Sequence, residues 1–202
     1  MIKYVLASLV FGVVVGYLNS NWGNVAAGVW VSDYVFNGSL LLLLFVMGLV
    51  FGLDKDSMAK IRQVGFKILI VPFAVACGSI LGGVVGGLIL GIDVVAAAAV
   101  SAGYGWYTLA GPLVRQLFGP EWGTLGFVVN FLRELLTVIS ISLLVKIDKH
   151  APIASGGATT MDTTLPIIVQ YCGSDALITA FSSGFTLSLI APFTIIAIAS
   201  LR

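Results

Sequence analysis

Three polar side chains lie close together near the middle of a long apolar stretch: Asn130, Arg133 and Glu134. An ionised group at the centre of a bilayer costs about 2.5–3.5 kcal/mol even on the mildest insertion scale, so such residues usually serve a function. On a helix, Asn130 neighbours both charged residues, which point about 100° apart. We interpret Glu134 as a carboxylate that binds a cation or carries a proton, while Arg133 balances it or takes a substrate carboxylate. The alternative is a structural polar cluster.

A second carboxylate, Asp162, lies in a segment that glycine and proline interrupt, GGATTMDTTLP. Threonine hydroxyls and freed backbone carbonyls around it offer ligands for a small cation or hydrogen-bond acceptors for an ammonium group. The competing interpretation is a helix cap, since Asp and Thr are both favoured at the start of a helix. The candidate residues of this segment are Gly156, Gly157, Thr159, Thr160, Asp162, Thr163 and Thr164.

A third candidate segment, GYGWYTLAGP, is poor helix material because it contains three glycines and a proline. Unpaired N–H groups at an interrupted helix suit a carboxylate, so we expect those near Gly103–Gly105 and Gly156–Gly157 to receive one. The aromatic rings offer cation–π contacts to an ammonium group. An aromatic belt at the membrane interface would explain the rings but not the glycines. The candidate residues are Gly103, Tyr104, Gly105, Trp106, Tyr107 and Thr108.

The composition around these residues is that of an integral membrane protein. Of the 202 residues, 59% are hydrophobic and 9% charged, and the mean hydropathy is +1.09, whereas soluble domains carry about 25% charge. A net charge of +1 excludes a general nucleic-acid binder. One histidine and two separated cysteines predict no metal site, no disulfide and no cofactor, and we do not expect an enzyme. Five apolar runs reach the roughly 20 residues of a spanning helix: Ile2–Leu18, Val35–Leu53, Phe66–Leu90, Gly123–Val145 and Ala176–Leu201.

The basic residues predict the orientation in the membrane. The connection from Asp54 to Lys67 is the most basic one, so the positive-inside rule places it, and the N-terminus, in the cytoplasm. Two interrupted segments, Val94–Phe118 and Ala151–Cys172, are not clean spans. If both turn back as re-entrant hairpins, the basic connection around Lys146 lies inside, and if both cross it lies outside. We therefore favour hairpins, which would enter from opposite sides.

The two interrupted segments resemble each other at an offset of 54 residues, where Pro112 matches Pro166 and Gly119 matches Gly173. Paired interrupted segments in corresponding halves are the best sequence pointer to the binding site of a secondary transporter. We predict an all-α membrane protein with about five full transmembrane helices and two re-entrant or discontinuous segments that form an inverted repeat. Its parts would be scaffold helices over 1–93, a first repeat unit over 94–150 and a second over 151–202.

Three blocks carry a family resemblance: SAGYGWYTLAGPLV, LFGPEWGTLGFVVNFLREL and SGGATTMDTTLPIIVQYCG. In order and spacing they resemble the signature blocks of the LysO family of lysine exporters, over roughly Val94–Leu201. The resemblance implies efflux of L-lysine and its toxic analogues, driven by the proton gradient, from a multi-pass protein of the prokaryotic cytoplasmic membrane. Longer family members carry an N-terminal extension of about ninety residues, enough for further spans. We expect either a small membrane protein to supply them or this form to act as a homo-oligomer.

These observations together predict a secondary transporter that exports lysine by proton antiport. Glu134 and Asp162 would meet the ammonium groups of lysine or exchange a proton against them, with Asn130 and Thr108 as polar helpers. The first alternative is a sodium-coupled carrier of an organic anion, with sodium at Asp162 and the substrate at Arg133. The second alternative is a membrane subunit that does not transport and packs onto a partner through its glycine-rich faces.

Overall fold

The computed structural model describes residues 69–202 without a break and, before them, residues 11–12, 14–18, 34–35, 38–39, 41–42, 45–46, 49 and 53. The predicted spans Ile2–Leu18 and Val35–Leu53 fall largely outside the described residues, as does the basic connection that predicts the orientation. The chain divides into two compact units, Met1–Leu53 and Asp54–Arg202. The fold and the site below belong to the second unit.

All the regular elements described between residues 69 and 202 are helical, which confirms the predicted all-α class. Within the described residues, three helices are long and apolar enough to cross a membrane, and they match the last three predicted spans. Shorter helices fill the two interrupted segments between them. In chain order the helices are α1 Ile70–Leu90, α2 Val94–Ser101, α3 Tyr107–Phe118, α4 Pro120–Ile147, α5 Ala151–Gly156, the 3₁₀ helix Gly157–Met161, α6 Leu165–Cys172 and α7 Ala176–Ala199.

The first interrupted segment, which we call hairpin 1 (94–118), begins and ends at the same end of the helical bundle. Asp93 caps the start of α2 by accepting hydrogen bonds from the backbone N–H groups of Val95 and Ala96. Arg202, just beyond α7, lies 3.7 Å from this Asp93 carboxylate. The same guanidinium lies 5.4 Å from the ring centroid of Phe118, the last residue of α3. Both ends of hairpin 1 therefore meet the C-terminal end of α7.

The second interrupted segment, hairpin 2 (151–172), begins and ends at the opposite end of the bundle. A buried apolar cluster there joins Ile141 near the end of α4, Ile153 on α5, Ile168 on α6 and Ala176 at the start of α7. Because α7 has 24 residues and runs from this cluster to the Asp93 end, the clusters at its two ends are about 36 Å apart. The two hairpins thus enter from opposite ends, as the charge distribution favours.

The two hairpins share a succession of elements at the predicted offset. Each has a short helix, an irregular tip and a second helix that contains a proline. Each then ends at a glycine in the same unusual backbone conformation, Gly119 at φ 105° and ψ 173° and Gly173 at φ 87° and ψ 167°, before a long helix begins. Their division into repeat units over 94–150 and 151–202 stays a prediction.

The glycine-rich face of α1 has two distinct roles. A Cβ atom at Gly83 would collide with the Ser101 side chain and lie 2.7 Å from the carbonyl oxygen of Ala97, so α2 packs directly on this glycine. At Gly78 and Gly82 a Cβ atom would meet nothing within 4 Å. Part of the face therefore holds hairpin 1 close to α1, and part has no described residue in contact with it.

Candidate functional site

The tips of the two hairpins meet in the middle of the bundle. The backbone N–H of Ala158 donates to the carbonyl oxygen of Tyr104 over 2.8 Å. Tyr104, Gly105 and Gly157 all have positive φ, at 52°, 97° and 64°, a region that favours glycine because a Cβ atom is crowded there. A Cβ at Gly157 would collide with the Tyr104 carbonyl, and one at Gly105 would lie 3.0 Å from the carbonyl oxygen of Gly156. We call this crossing the tip contact.

Asn130 on α4 holds the tip of hairpin 1 in place. Its Oδ1 accepts a hydrogen bond from the Gly105 N–H over 2.7 Å, and its Nδ2 donates to the carbonyl oxygens of Val100 and Gly126. The side chain is only 2% exposed. A Cβ at Gly103 would lie 2.5 Å from Ala110 and 2.7 Å from the Asn130 amide, so this glycine allows the close approach. Asn130 therefore uses its amide on the protein backbone.

Arg133 points toward hairpin 2 and α1. Its Nε donates to the carbonyl oxygen of Ser155 over 2.8 Å, one terminal nitrogen to that of Ala154 over 3.0 Å, and the other to the Ser79 hydroxyl over 2.7 Å. Within the described residues, no ion pair joins it to Glu134. The expectation that Arg133 balances Glu134 is therefore not met. Arg133 points away from Glu134 because neighbouring residues on a helix point in different directions. It points to α5 because the last carbonyl groups of a helix attract a cation.

Tyr107, at the start of α3, lies within electrostatic range of both predicted carboxylates. The Tyr107 hydroxyl faces the Glu134 carboxylate closely enough to interact with it, and the charge of Asp162 acts on the same hydroxyl. Among the described residues, Oε2 of Glu134 is buried without a hydrogen-bond partner. Asp162 is exposed and accepts hydrogen bonds from the N–H and hydroxyl of Thr163. We call Glu134, Asp162 and Tyr107 the acidic site.

Aromatic rings line one side of the acidic site, which sequence reasoning missed. The Tyr107 ring lies edge-on to Phe127 and Phe131, with centroids 5.3 Å and 5.6 Å away, and the two phenylalanines stack 6.1 Å apart. Phe127, Phe131 and Glu134 are spaced i, i+4 and i+7 along α4. This spacing places them on one face of a helix, and it was the signal available in the sequence.

The other predicted residues have varied surroundings. Thr159 donates to the carbonyl oxygen of Gly156, and Thr160 donates to those of Gly157 and Ala180, so both hydroxyls are used inside the protein. Trp106 is half-buried and Thr108 is exposed. The Tyr104 side chain is fully buried, and its hydroxyl has no hydrogen-bond partner among the described residues.

The backbone N–H groups predicted to receive a carboxylate are already occupied. Gly105 donates to Asn130, and Gly103 donates to the carbonyl oxygen of Val100. Gly157 donates to the carbonyl oxygen of Ile153. These N–H groups have partners inside the protein because the tips contact each other and α4. The expectation of unpaired N–H groups at Gly103–Gly105 and Gly156–Gly157 is therefore corrected. Contact of these residues with a substrate stays a prediction.

A cavity of about 1030 Å³ opens between α1, α4 and α5. Asp148 and His150 line it at the end of the bundle where hairpin 2 enters, and Arg133, Asn130 and Ser101 line it at mid-bundle. Glu134 and Asp162 are not part of its wall. Arg133 and Glu134 are adjacent in sequence but lie in different places. Arg133 lines the cavity, whereas Glu134 belongs to the acidic site.

Comparisons with known proteins agree on a family. The family described as "Lysine exporter LysO" matches residues 6–199. The chain is 33% identical over 159 residues to the lysine exporter LysO of Escherichia coli, covering 78% of this chain and 52% of that protein. It is 27% identical over 195 residues to a putative lysine exporter of Haemophilus influenzae, covering 96% of each.

This chain thus spans about half the length of the Escherichia coli relative and nearly all of the Haemophilus influenzae one. No solved structure matches it. The family match covers the described helices, the tip contact and the acidic site. The chain belongs to the LysO lysine exporter family.

Proposed function

We propose that this protein exports L-lysine and its analogues from the cytoplasm in exchange for protons. The observation that carries the proposal is the buried, unpartnered carboxylate oxygen of Glu134 in a bundle where two hairpins from opposite ends meet at their tips. Asp162 and Glu134 both act electrostatically on Tyr107. Crossed, discontinuous segments are where secondary transporters bind their substrates. Membership of a family named for lysine export supports the choice of substrate.

The acidic site suits an ammonium group chemically. The buried, unpartnered oxygen of Glu134 is an acceptor that a proton or an ammonium group would satisfy. The rings beside it add a surface on which a cation is attracted. Because one carboxylate cannot hold a proton and an ammonium group at once, the two compete for it. That competition is sufficient for antiport.

The residues that surround the site have supporting roles in this proposal. Asn130, with Gly103 and Gly105, fixes the tip of hairpin 1, while Thr159 and Thr160 fix the tip of hairpin 2. Trp106 and Thr108 flank Tyr107 in the sequence, and Thr163 follows Asp162 and donates hydrogen bonds to its carboxylate. In this proposal Arg133 binds the substrate carboxylate, because the backbone N–H groups at the tips already donate to acceptors inside the protein.

The test is exchange of labelled lysine in proteoliposomes, with and without a pH gradient. We expect Glu134→Gln and Asp162→Asn each to lower exchange by about tenfold or more. A hydrogen bond to a charged group contributes about 1.5–3 kcal/mol, and 1.4 kcal/mol corresponds to a factor of ten. The matched controls are Glu121→Gln on the same helix and Asp175→Asn, which are exposed. Wild-type exchange and pH dependence in both acidic-site variants would refute the proposal.

The same assay separates the sodium-coupled alternative. Replacing sodium by potassium leaves proton-coupled exchange unchanged, whereas a sodium-coupled carrier of organic anions stops. Citrate should not exchange, because the carboxylates of Glu134 and Asp162 repel a ligand that carries several negative charges. A subunit that does not transport would show no flux in the absence of a partner.

Orientation and assembly are also part of the proposal. We place the N-terminus and the end that carries Lys146 and Lys149 in the cytoplasm, where basic residues are retained. Labelling of a cysteine introduced at Lys149 in intact cells tests this, since a cytoplasmic thiol does not react with an impermeant reagent. Whether the protein works as a homo-oligomer or with a small membrane partner is measured by native mass spectrometry of the purified protein.

A further inference from the structure

The Arg133 guanidinium is hydrogen-bonded, but its charge is not neutralised by the described residues. Its three acceptors are the carbonyl oxygens of Ala154 and Ser155 and the hydroxyl of Ser79, all of them neutral. No carboxylate in the described part of the chain lies within ion-pair distance. A guanidinium has five N–H donors, so two remain in addition to the three that are used. The cavity wall therefore contains a cation with spare donors.

A carboxylate would compete effectively for this guanidinium. Hydrogen bonds between two ionised groups are shorter and roughly twice as strong as those between neutral groups, and an arginine fork binds both carboxylate oxygens at once. The cavity gives a ligand access to Arg133 from the end of the bundle that Asp148 and His150 line. A ligand carboxylate that enters this way can accept the hydrogen bonds that Arg133 now donates to the carbonyl oxygens of Ala154 and Ser155.

Arg133 also braces the tip contact. Gly157 is so close to the guanidinium that a Cβ atom there would lie 3.2 Å from its central carbon, and Gly105 lies against the aliphatic part of the same side chain. The tips are joined at this point by the single backbone hydrogen bond from Ala158 to Tyr104. Movement of Arg133 away from α5 would remove the support on one side of that contact.

We infer that Arg133 recognises the α-carboxylate of an amino acid and, in doing so, releases hairpin 2. In this structure the guanidinium ties α5 to α1 and packs against the tip contact. When a carboxylate enters the cavity, the guanidinium exchanges the Ala154 and Ser155 carbonyls for it, and hairpin 2 is free to separate from hairpin 1. This inference rests on the proposed function, because it assigns one half of the substrate to the cavity.

The test compares amino acids with their amides, which lack the negative charge. Binding of lysine, lysinamide, leucine and leucinamide is measured by calorimetry on the full chain in nanodiscs. We expect the wild type to prefer an acid over its amide by about tenfold or more, and Arg133→Gln to reduce that preference to below threefold. Arg133→Lys falls between, since it keeps the charge but not the planar fork. Arg202→Gln, at the other end of the bundle, is the matched control and keeps the wild-type preference.

A second variant keeps the test decisive if Arg133→Gln does not fold. Ser79→Ala frees the terminal nitrogen that now donates to the Ser79 hydroxyl. That nitrogen adds to the donors available to the ligand carboxylate, so the preference for the acid should rise by about threefold or more. A merely structural Arg133 would not produce a gain that is specific to the acid. Hydrogen exchange over residues 151–164 should also increase when lysine binds and stay unchanged with lysinamide.

The outcomes separate this inference from the proposed function. If lysine exchanges but its preference over lysinamide is the same in wild type and Arg133→Gln, the inference and the assignment of the substrate carboxylate to Arg133 are wrong, while lysine export through the acidic site stands. If leucine but not lysine binds, and its preference depends on Arg133, the function is wrong and the inference stands. If Arg133→Gln is unfolded and Ser79→Ala leaves the preference unchanged, the inference is wrong. If no acid binds, both are wrong.

Discussion

Substitution of Gly157 by alanine should separate the two hairpins. Gly157 has φ 64° and ψ −126°, a sparsely populated conformation that costs an L-residue about 1–3 kcal/mol. A Cβ atom there also collides with the Tyr104 carbonyl, so the tips must move apart and lose the Ala158–Tyr104 hydrogen bond. A buried hydrogen bond contributes about 1 kcal/mol net. We expect Gly157→Ala to destabilise the protein by about 2–4 kcal/mol and to lower lysine exchange.

The matched control is Gly173→Ala. Gly173 also has positive φ, at 87°, but a Cβ atom there would meet nothing within 4 Å. Gly173→Ala therefore has a backbone cost of about 1–3 kcal/mol without the collision. Thermal unfolding in detergent, followed by the fluorescence of the four tryptophans, compares the two variants. If Gly157→Ala is no less stable than Gly173→Ala and exchanges lysine normally, the tip contact does not hold the hairpins together.

Three further predictions use the same unfolding assay. Asn130→Ala leaves buried backbone groups of hairpin 1 unpaired and should cost about 2–4 kcal/mol; stability within 1 kcal/mol of wild type would contradict the role of this amide. Gly83→Ala should cost about 1–3 kcal/mol through overpacking against α2, whereas Gly82→Ala, which borders open space, should be neutral or slightly stabilising. Thr160→Val should lower the stability by about 1–3 kcal/mol, because the hydroxyl proton that Thr160 shares between the carbonyl oxygens of Gly157 and Ala180 is lost. The exposed Thr124→Val should lower it by under about 0.5 kcal/mol; equal losses of stability would contradict the role of Thr160.

Hydropathy and glycine placement predict most of the fold. The predicted spans Phe66–Leu90, Gly123–Val145 and Ala176–Leu201 lie within a few residues of α1, α4 and α7, because the length of an apolar run is a direct requirement of the bilayer. The breaks near Gly105 and Gly157 were also predictable, since both adopt a conformation that glycine favours.

The residue types of the site could be predicted from the sequence, but the hydrogen-bond partners of Arg133 and of the hairpin tips could not. Glu134 and Asp162 stood out because a charge in an apolar run is expensive, and both lie within electrostatic range of Tyr107. The direction of Arg133 and the occupied N–H groups at the tips were not predictable, because their partners come from the other hairpin and from α1. Ser79, the acceptor on α1, carries no signal in a helix full of small residues.

The short arms of the hairpins have a consequence for how the protein is made. The helices of hairpin 1 have eight and twelve residues, and those of hairpin 2 have six and eight, against about 20 for a span that the insertion machinery recognises. Their tips carry irregular backbone, which lipid does not tolerate. The long helices must therefore enter the membrane first. Hairpin 1 is translated before hairpin 2, so its tip can form the tip contact only after hairpin 2 has been translated.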